Sequence, residues 1–227
     1  MRVERIDKSV TGIFIAAEAV LYAVFMGLDI MGISPDTASV LKYTSIILCV
    51  CMACFRAWRF KTGESVAIVA ALLCTLIADY FLLFPREVIS PGLISFCVAH
   101  LIYMVIILDF DKKKALTGGA LRLAAAAFFF VGYILATSAG TGLSGAWYDG
   151  LTVFLLLLYA VTFASNLVIC GVACFKDGTH RLLFAGLCLF VLCDVNVALN
   201  NILPAYHLSA LLMWAFYLPS QVVIVLS

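Results

Sequence analysis

Apolar residues run for about twenty positions at a time along most of this chain, broken by short polar or Pro/Gly punctuation. Twenty apolar residues is the length an α-helix needs to cross a bilayer. The pattern recurs eight times, over residues of about 11–31, 38–56, 65–84, 91–109, 118–137, 150–174, 182–203 and 206–226. It predicts an all-α membrane protein, a bundle of eight transmembrane helices. The spans use up nearly the whole chain, so residues 1–227 are expected to form one integral membrane domain, and any chemistry must come from the bundle or its short loops. The segment Met1–Val10 carries Arg2, Arg5 and Lys8, like the start of a signal peptide. The apolar run behind it is long, contains Glu18 and lacks a small-residue cleavage site, so it reads as a retained first helix.

Composition sharpens this picture. The 227 residues are 65% hydrophobic and 12% charged, where soluble domains carry about 25% charged residues. With a net charge of +1 and no basic patch interleaved with aromatics, a nucleic-acid partner is set aside. The basic residues predict an orientation. Arg2, Arg5 and Lys8 precede span one; Arg56, Arg59 and Lys61 follow span two; Lys112, Lys113, Lys114 and Arg122 follow span four; Lys176 and Arg181 follow span six. Only Lys42 and Arg86 fall near the other side. Both termini are therefore expected in the cytoplasm, and the location is expected to be the plasma (inner) membrane of a bacterium.

The nine cysteines are scattered through the spans. Cys51 and Cys54 have CxxC spacing, but they sit in an apolar helix with no second pair or nearby histidine, so they read as small hydrophobes. With three histidines in all (His100, His180 and His207), neither a metal site nor a cofactor is expected.

Against this background two acids stand out, Asp79 and Asp194, each inside a stretch that otherwise reads as membrane-spanning. An ionised carboxylate in hydrocarbon costs about 2.5–3.5 kcal/mol on insertion scales, and such groups usually face a bundle interior or a wet cavity. At 1.5 Å per residue Asp79 lies about 21 Å along its span and Asp194 about 18 Å along its own, with Lys42 at a similar depth. Helical spacing sorts further polar residues onto faces: Glu18, Tyr22, Phe25 and Asp29 on span one; Thr75, Asp79, Leu83 and Arg86 on span three; Phe96, His100, Tyr103 and Ile107 on span four; Tyr159, Thr162 and Asn166 on span six; Tyr217 and Gln221 on span eight. Each also has a purely structural reading. Glu18 and Asp29 pair with Lys42 or Arg86; His100 and the tyrosines pack helices with their polar atoms satisfied; Asn200 and Asn201 end a helix before Pro204. The acids occupy the third span of each half of the chain, which admits a 4+4 pseudo-repeat with a site between repeats.

Several of these segments resemble one family. "LLCTLIADYFLLF" followed by "PGLISFCVAHLIYMVIIL" resembles the third and fourth helices of the YhhN-like lysoplasmalogenase family. "AGLCLFVLCDVNVALNNI" resembles its seventh, "LKYTSIILC" its lysine-bearing second, and "FYLPSQVVIVLS" its last. The residues Gly92 to Tyr103, with Phe96, His100 and Tyr103 in register, carry the resemblance furthest. Ala78, Cys193 and Tyr43 depart from the Gly, Ser and Pro often found there. The resemblance implies a hydrolase that cleaves the vinyl ether bond of lysoplasmalogens to a fatty aldehyde and a glycerophospho-base. It implies Asp79 and Asp194 as the catalytic pair, with Lys42, His100, Tyr103, Asn200, Tyr217 and Gln221 binding a lysolipid that enters from the bilayer; Tyr159, from the polar face of span six, is expected to join them.

That chemistry needs one protonated carboxyl to deliver a proton to carbon and one carboxylate to stabilise the cation and direct water. Two neighbouring carboxyls in a low-dielectric site meet both needs by sharing one proton. The rival readings are a small multi-pass transporter or flippase of lipid-like substrates that uses the same acids, a hydrolase of another lipid bond, and a non-enzymatic partner protein. Proton-coupled uptake into vesicles separates the first of these from hydrolysis.

Overall fold

A computed structural model describes residues 2–85, 89–138, 149–202 and 208–227. Among these, eight α-helices follow one another: α1 (Arg2–Met31), α2 (Pro35–Phe60), α3 (Gly63–Leu83), α4 (Ile89–Ile107), α5 (Lys112–Ser138), α6 (Gly150–Asp177), α7 (Arg181–Ile202) and α8 (Leu208–Val225). All eight contain a stretch long and apolar enough to cross a membrane, so the chain is a multi-pass membrane protein. Two helices start well before the expected spans. α1 begins at Arg2 rather than near residue 11, and α5 at Lys112 rather than near residue 118. Arg and Lys are good helix formers, so the helix continues past the hydrocarbon into the charged flank.

Local chemistry explains where the helices break. α1 closes in a Schellman motif: Gly32 takes a left-handed φ of 65°, its N–H donates to the Asp29 carbonyl (3.2 Å), and the Ile33 N–H donates to the Leu28 carbonyl (3.0 Å). Pro35 then opens α2 at a position that needs no N–H donor. The Asp111 carboxylate accepts from the backbone N–H groups of Lys113 and Lys114 at the head of α5 (3.0 and 3.1 Å). Asp149 does the same for Thr152 at the head of α6 (2.6 Å).

The chain groups into two compact units. The first comprises Met1–Leu72 and Ala173–Ser227; the second is Leu73–Val172. The boundaries thus fall inside α3 and α6 rather than between α4 and α5. In the first unit α7 packs along α8, α1 along α2, and α8 also meets α1 and α2. The α7–α8 approach hinges on Gly186, where a Cβ would stand 2.5 Å from Ile224 Cγ1 and 3.2 Å from the Ser220 carbonyl oxygen. Small residues let membrane helices come this close. In the second unit Gly92 of α4 lies against α3, where a Cβ would stand in ordinary contact, 3.4 Å from the Ala78 carbonyl oxygen. That contact brings α4 against the backbone immediately before Asp79.

Candidate functional site

In the first unit the polar stripe of α1 faces α2 and α8. The Lys42 ammonium of α2 pairs with the Asp29 carboxylate of α1 at 2.7 Å. The same ammonium lies 5.0 Å from the Trp214 ring centroid and 5.9 Å from that of Phe25, so two aromatic faces flank the ion pair. Trp214 meets Tyr217 edge to face at 5.1 Å, and Tyr217 meets Phe190 of α7 at 5.5 Å. One turn further along α8, Gln221 is fully buried. Its Nε2 donates to Ser220 Oγ (3.3 Å), while its Oε1 has no partner among the described residues. Lys42, Tyr217 and the aromatics around them therefore form one cluster, with Gln221 beside it. Asp194 is half-buried on α7. Asn200 is exposed, and its Oδ1 accepts from the buried Ser209 hydroxyl (3.0 Å), tying the end of α7 to the start of α8.

Of the two expected partners for Lys42, Asp29 takes the ammonium and Glu18 does not. Glu18 is buried to 3% exposure, and its Oε1 accepts from the Cys49 thiol at 3.4 Å. Its Oε2 has no partner among the described residues. Cys49 is one of the scattered cysteines whose spacing carries no motif, so nothing in the sequence pattern singles it out as the partner of a carboxyl. Arg86, the other expected partner, lies outside the described residues, as do Pro204, His207 and the side chain of Asn201.

α8 carries Pro219 inside its length. Proline has no N–H for the carbonyl four residues earlier, which here is Ala215. The Tyr22 hydroxyl of α1 donates to that carbonyl in a long hydrogen bond of 3.5 Å.

In the second unit Asp79 lies on α3 at 3% exposure, one turn after the buried Thr75. On α4, His100 is fully buried in an aromatic box. Its ring sits 5.6 Å from Tyr103, 5.1 Å from Tyr159 and 4.7 Å from Phe163. Phe96 closes on Tyr159 at 6.1 Å. The four candidates His100, Tyr103, Tyr159 and Phe96 are thus gathered by α4 and α6, as their shared helical faces imply.

The sequence pattern missed Arg122 and underrated Asn166. Arg122 is counted by charge with the basic residues that flank span five, yet it is buried on α5. Its Nη2 donates to Asn166 Oδ1 (3.1 Å), and Asn166 Nδ2 donates to the His100 carbonyl (2.7 Å). The signal available was its place inside the apolar run 118–137, where a cation needs a reason to stay.

No curated protein and no solved structure matches this chain. The YhhN family matches residues 37–227, a stretch that includes α2 to α8 nearly whole and both intramembrane aspartates. Over that length, the chain belongs to the YhhN family.

Proposed function

We propose that this protein is a lysoplasmalogenase-type hydrolase of the plasma membrane, acting on the vinyl ether bond of lysoplasmalogens. The observation that carries the reading is the family match itself, since the YhhN family includes lysoplasmalogenases. The chemistry of the residues supports it. A proton adds to the β-carbon of the vinyl ether and leaves an oxocarbenium ion at the ether carbon. Water adds there, gives up a proton, and the hemiacetal collapses to fatty aldehyde and the free hydroxyl of a glycerophospho-base. One carboxyl delivers the proton and one carboxylate receives the proton of the attacking water. Asp79 and Asp194 are assigned these two roles. The His100, Tyr103 and Tyr159 box, and the Lys42, Tyr217 and Gln221 cluster, with Asn200, are assigned to holding the lysolipid.

The test is aldehyde release by purified protein in detergent. The substrate is a lysoplasmalogen, and its saturated alkyl-ether analogue is the control. The reading expects aldehyde from the vinyl ether alone, and its loss in folded Asp79→Asn and Asp194→Asn variants. Well-folded protein that releases no aldehyde across headgroups and pH sinks the assignment.

A further inference from the structure

Among the described residues two cations are buried on the membrane helices, and they are treated differently. Lys42 has its counter-ion within the chain, in Asp29. Arg122 is 5% exposed, and among the described residues no carboxylate forms an ion pair with it. Its Nε is buried with no acceptor among the described residues. It lies ten residues into α5 and four residues, about 6 Å, into the apolar run 118–137. An Arg at the centre of a membrane helix costs about 2.5–3.5 kcal/mol on insertion scales and less towards an end, and such residues normally pair or mark a ligand path.

The surroundings hold this side chain in place without neutralising it. Asn166 accepts from Nη2 at 3.1 Å, and its own amide is locked by donating to the His100 carbonyl at 2.7 Å. The chain therefore links α5, α6 and the α4 turn that carries His100. Gly118, one turn before Arg122, leaves room for the guanidinium to lie along α5: a Cβ there would stand 2.9 Å from Nη1. An Asp at position 166 has the same shape and would cancel the charge, but it has no N–H for the His100 carbonyl. Asn makes the shape and leaves the charge. A guanidinium offers five N–H donors in a planar fork that matches the oxygens of a phosphate, and here one donor is spent on fixing its direction.

We propose that Arg122, oriented by Asn166, is the seat for the phosphate of a lysophospholipid. This rests on the lysolipid reading above and names the group that binds the headgroup. Arg122 stands on α5, and Asn166 shares α6 with Tyr159 and Phe163 of the box and bonds the His100 carbonyl, so the phosphate seat and the box are assigned to one molecule. Asn166 acts here as a positioning residue.

The experiment measures binding without turnover, on the full chain in dodecyl maltoside. One ligand is a saturated alkyl-ether lysophosphatidylethanolamine. The second is the matching alkylglycerol, which has the same chain and no phosphate. Inorganic phosphate alone is the third. Wild type is expected to bind the phosphate-bearing lipid about tenfold or more tighter than the alkylglycerol, the scale of one charge-assisted contact. In Arg122→Gln that ratio falls to about one. Arg122→Gln risks misfolding, so the decisive variant is Asn166→Asp. It sets a carboxylate against the guanidinium, an ion pair that offsets the lost amide bond to the His100 carbonyl, so the protein stays folded and loses the phosphate preference. An Asn166→Asp protein that folds and keeps the tenfold preference overturns the proposal. So does stabilisation by inorganic phosphate equal to that by the lysolipid, which would assign the seat to a free anion. Phosphate-dependent binding without aldehyde release would defeat the hydrolase reading and leave the seat standing; aldehyde release with phosphate-independent binding does the reverse.

Discussion

Breaking the Lys42–Asp29 pair from each side, and then from both, separates the structural part of Lys42 from its assigned part in substrate binding. At the observed 2.7 Å and an effective dielectric of about 20, the attraction is about 6 kcal/mol before desolvation is subtracted. The side chains are 11% and 19% exposed, so most of their hydration is already gone. Removing one partner leaves the other charge buried and unbalanced, which costs about 3–5 kcal/mol in fully buried pairs. Two features soften that here. Asn at position 29 keeps a carbonyl acceptor, and the Trp214 and Phe25 faces retain about 0.5–2 kcal/mol of attraction for the ammonium. Asp29→Asn and Lys42→Met are therefore each expected to destabilise the protein by about 2–4 kcal/mol. The double variant, with no charge left to strand, is expected to lie within about 1 kcal/mol of wild type. Reversible unfolding in mixed detergent, followed by circular dichroism, reads the cycle. Additive costs, with the double variant as unstable as the two singles summed, would refute the pairing argument. The stable double variant then decides function: aldehyde release lost in it assigns Lys42 to the substrate, and aldehyde release retained assigns Lys42 to the fold alone.

Further outcomes follow from the same geometry. Gly186→Ala pushes a methyl into Ile224 and the Ser220 carbonyl, and is expected to cost about 1–3 kcal/mol as overpacking does, read in the same unfolding assay. His100→Phe keeps the shape of the aromatic box, so a stability loss under about 1.5 kcal/mol with aldehyde release abolished would mark the imidazole as chemical, and full turnover would mark it as packing. The Asp111 carboxyl is held below its ordinary value of 3.8, chiefly by the backbone N–H of Lys114 and also by the Lys114 side-chain ammonium. A lowered folded value means that its contribution is present above pH 3.8 and is lost as pH falls further. Amide exchange at Lys113 and Lys114, corrected for intrinsic rates, should accelerate over that descent in wild type and show no such step in Asp111→Asn.

Hydrophobic run length located all eight helices, because a bilayer demands a continuous apolar stretch and little else in a sequence looks like one. Helical spacing also grouped residues correctly within a helix. Glu18, Tyr22, Phe25 and Asp29 do share the inward face of α1, and Tyr159 and Asn166 both reach α4. Spacing cannot say which neighbouring helix a face meets. The bond from Cys49 to Glu18 and the one from Tyr22 to the Ala215 carbonyl join residues far apart in the chain by packing alone. Arg122 escaped notice for a different reason. Charge counting along a membrane protein treats every basic residue near a span end as a marker of sidedness, and Arg122, four residues inside the apolar run, is counted with Lys112, Lys113 and Lys114.

The division into units has a consequence for how the chain is made. The second unit is one continuous stretch, so its helices can dock as soon as residue 172 has left the ribosome. The first is assembled from both sides of that stretch. Lys42 and Asp29 emerge early and can neutralise each other at once. Trp214, which covers that pair, and Ala215, whose carbonyl waits for the Tyr22 hydroxyl, arrive only with α8. During synthesis Tyr22 sits in the membrane with its later partner unmade, and α8 inserts with a proline-freed carbonyl that α1 must already be positioned to meet. Lesions in α1 should therefore show up as a failure to retain α8, a defect of biogenesis at the opposite end of the chain from the mutation.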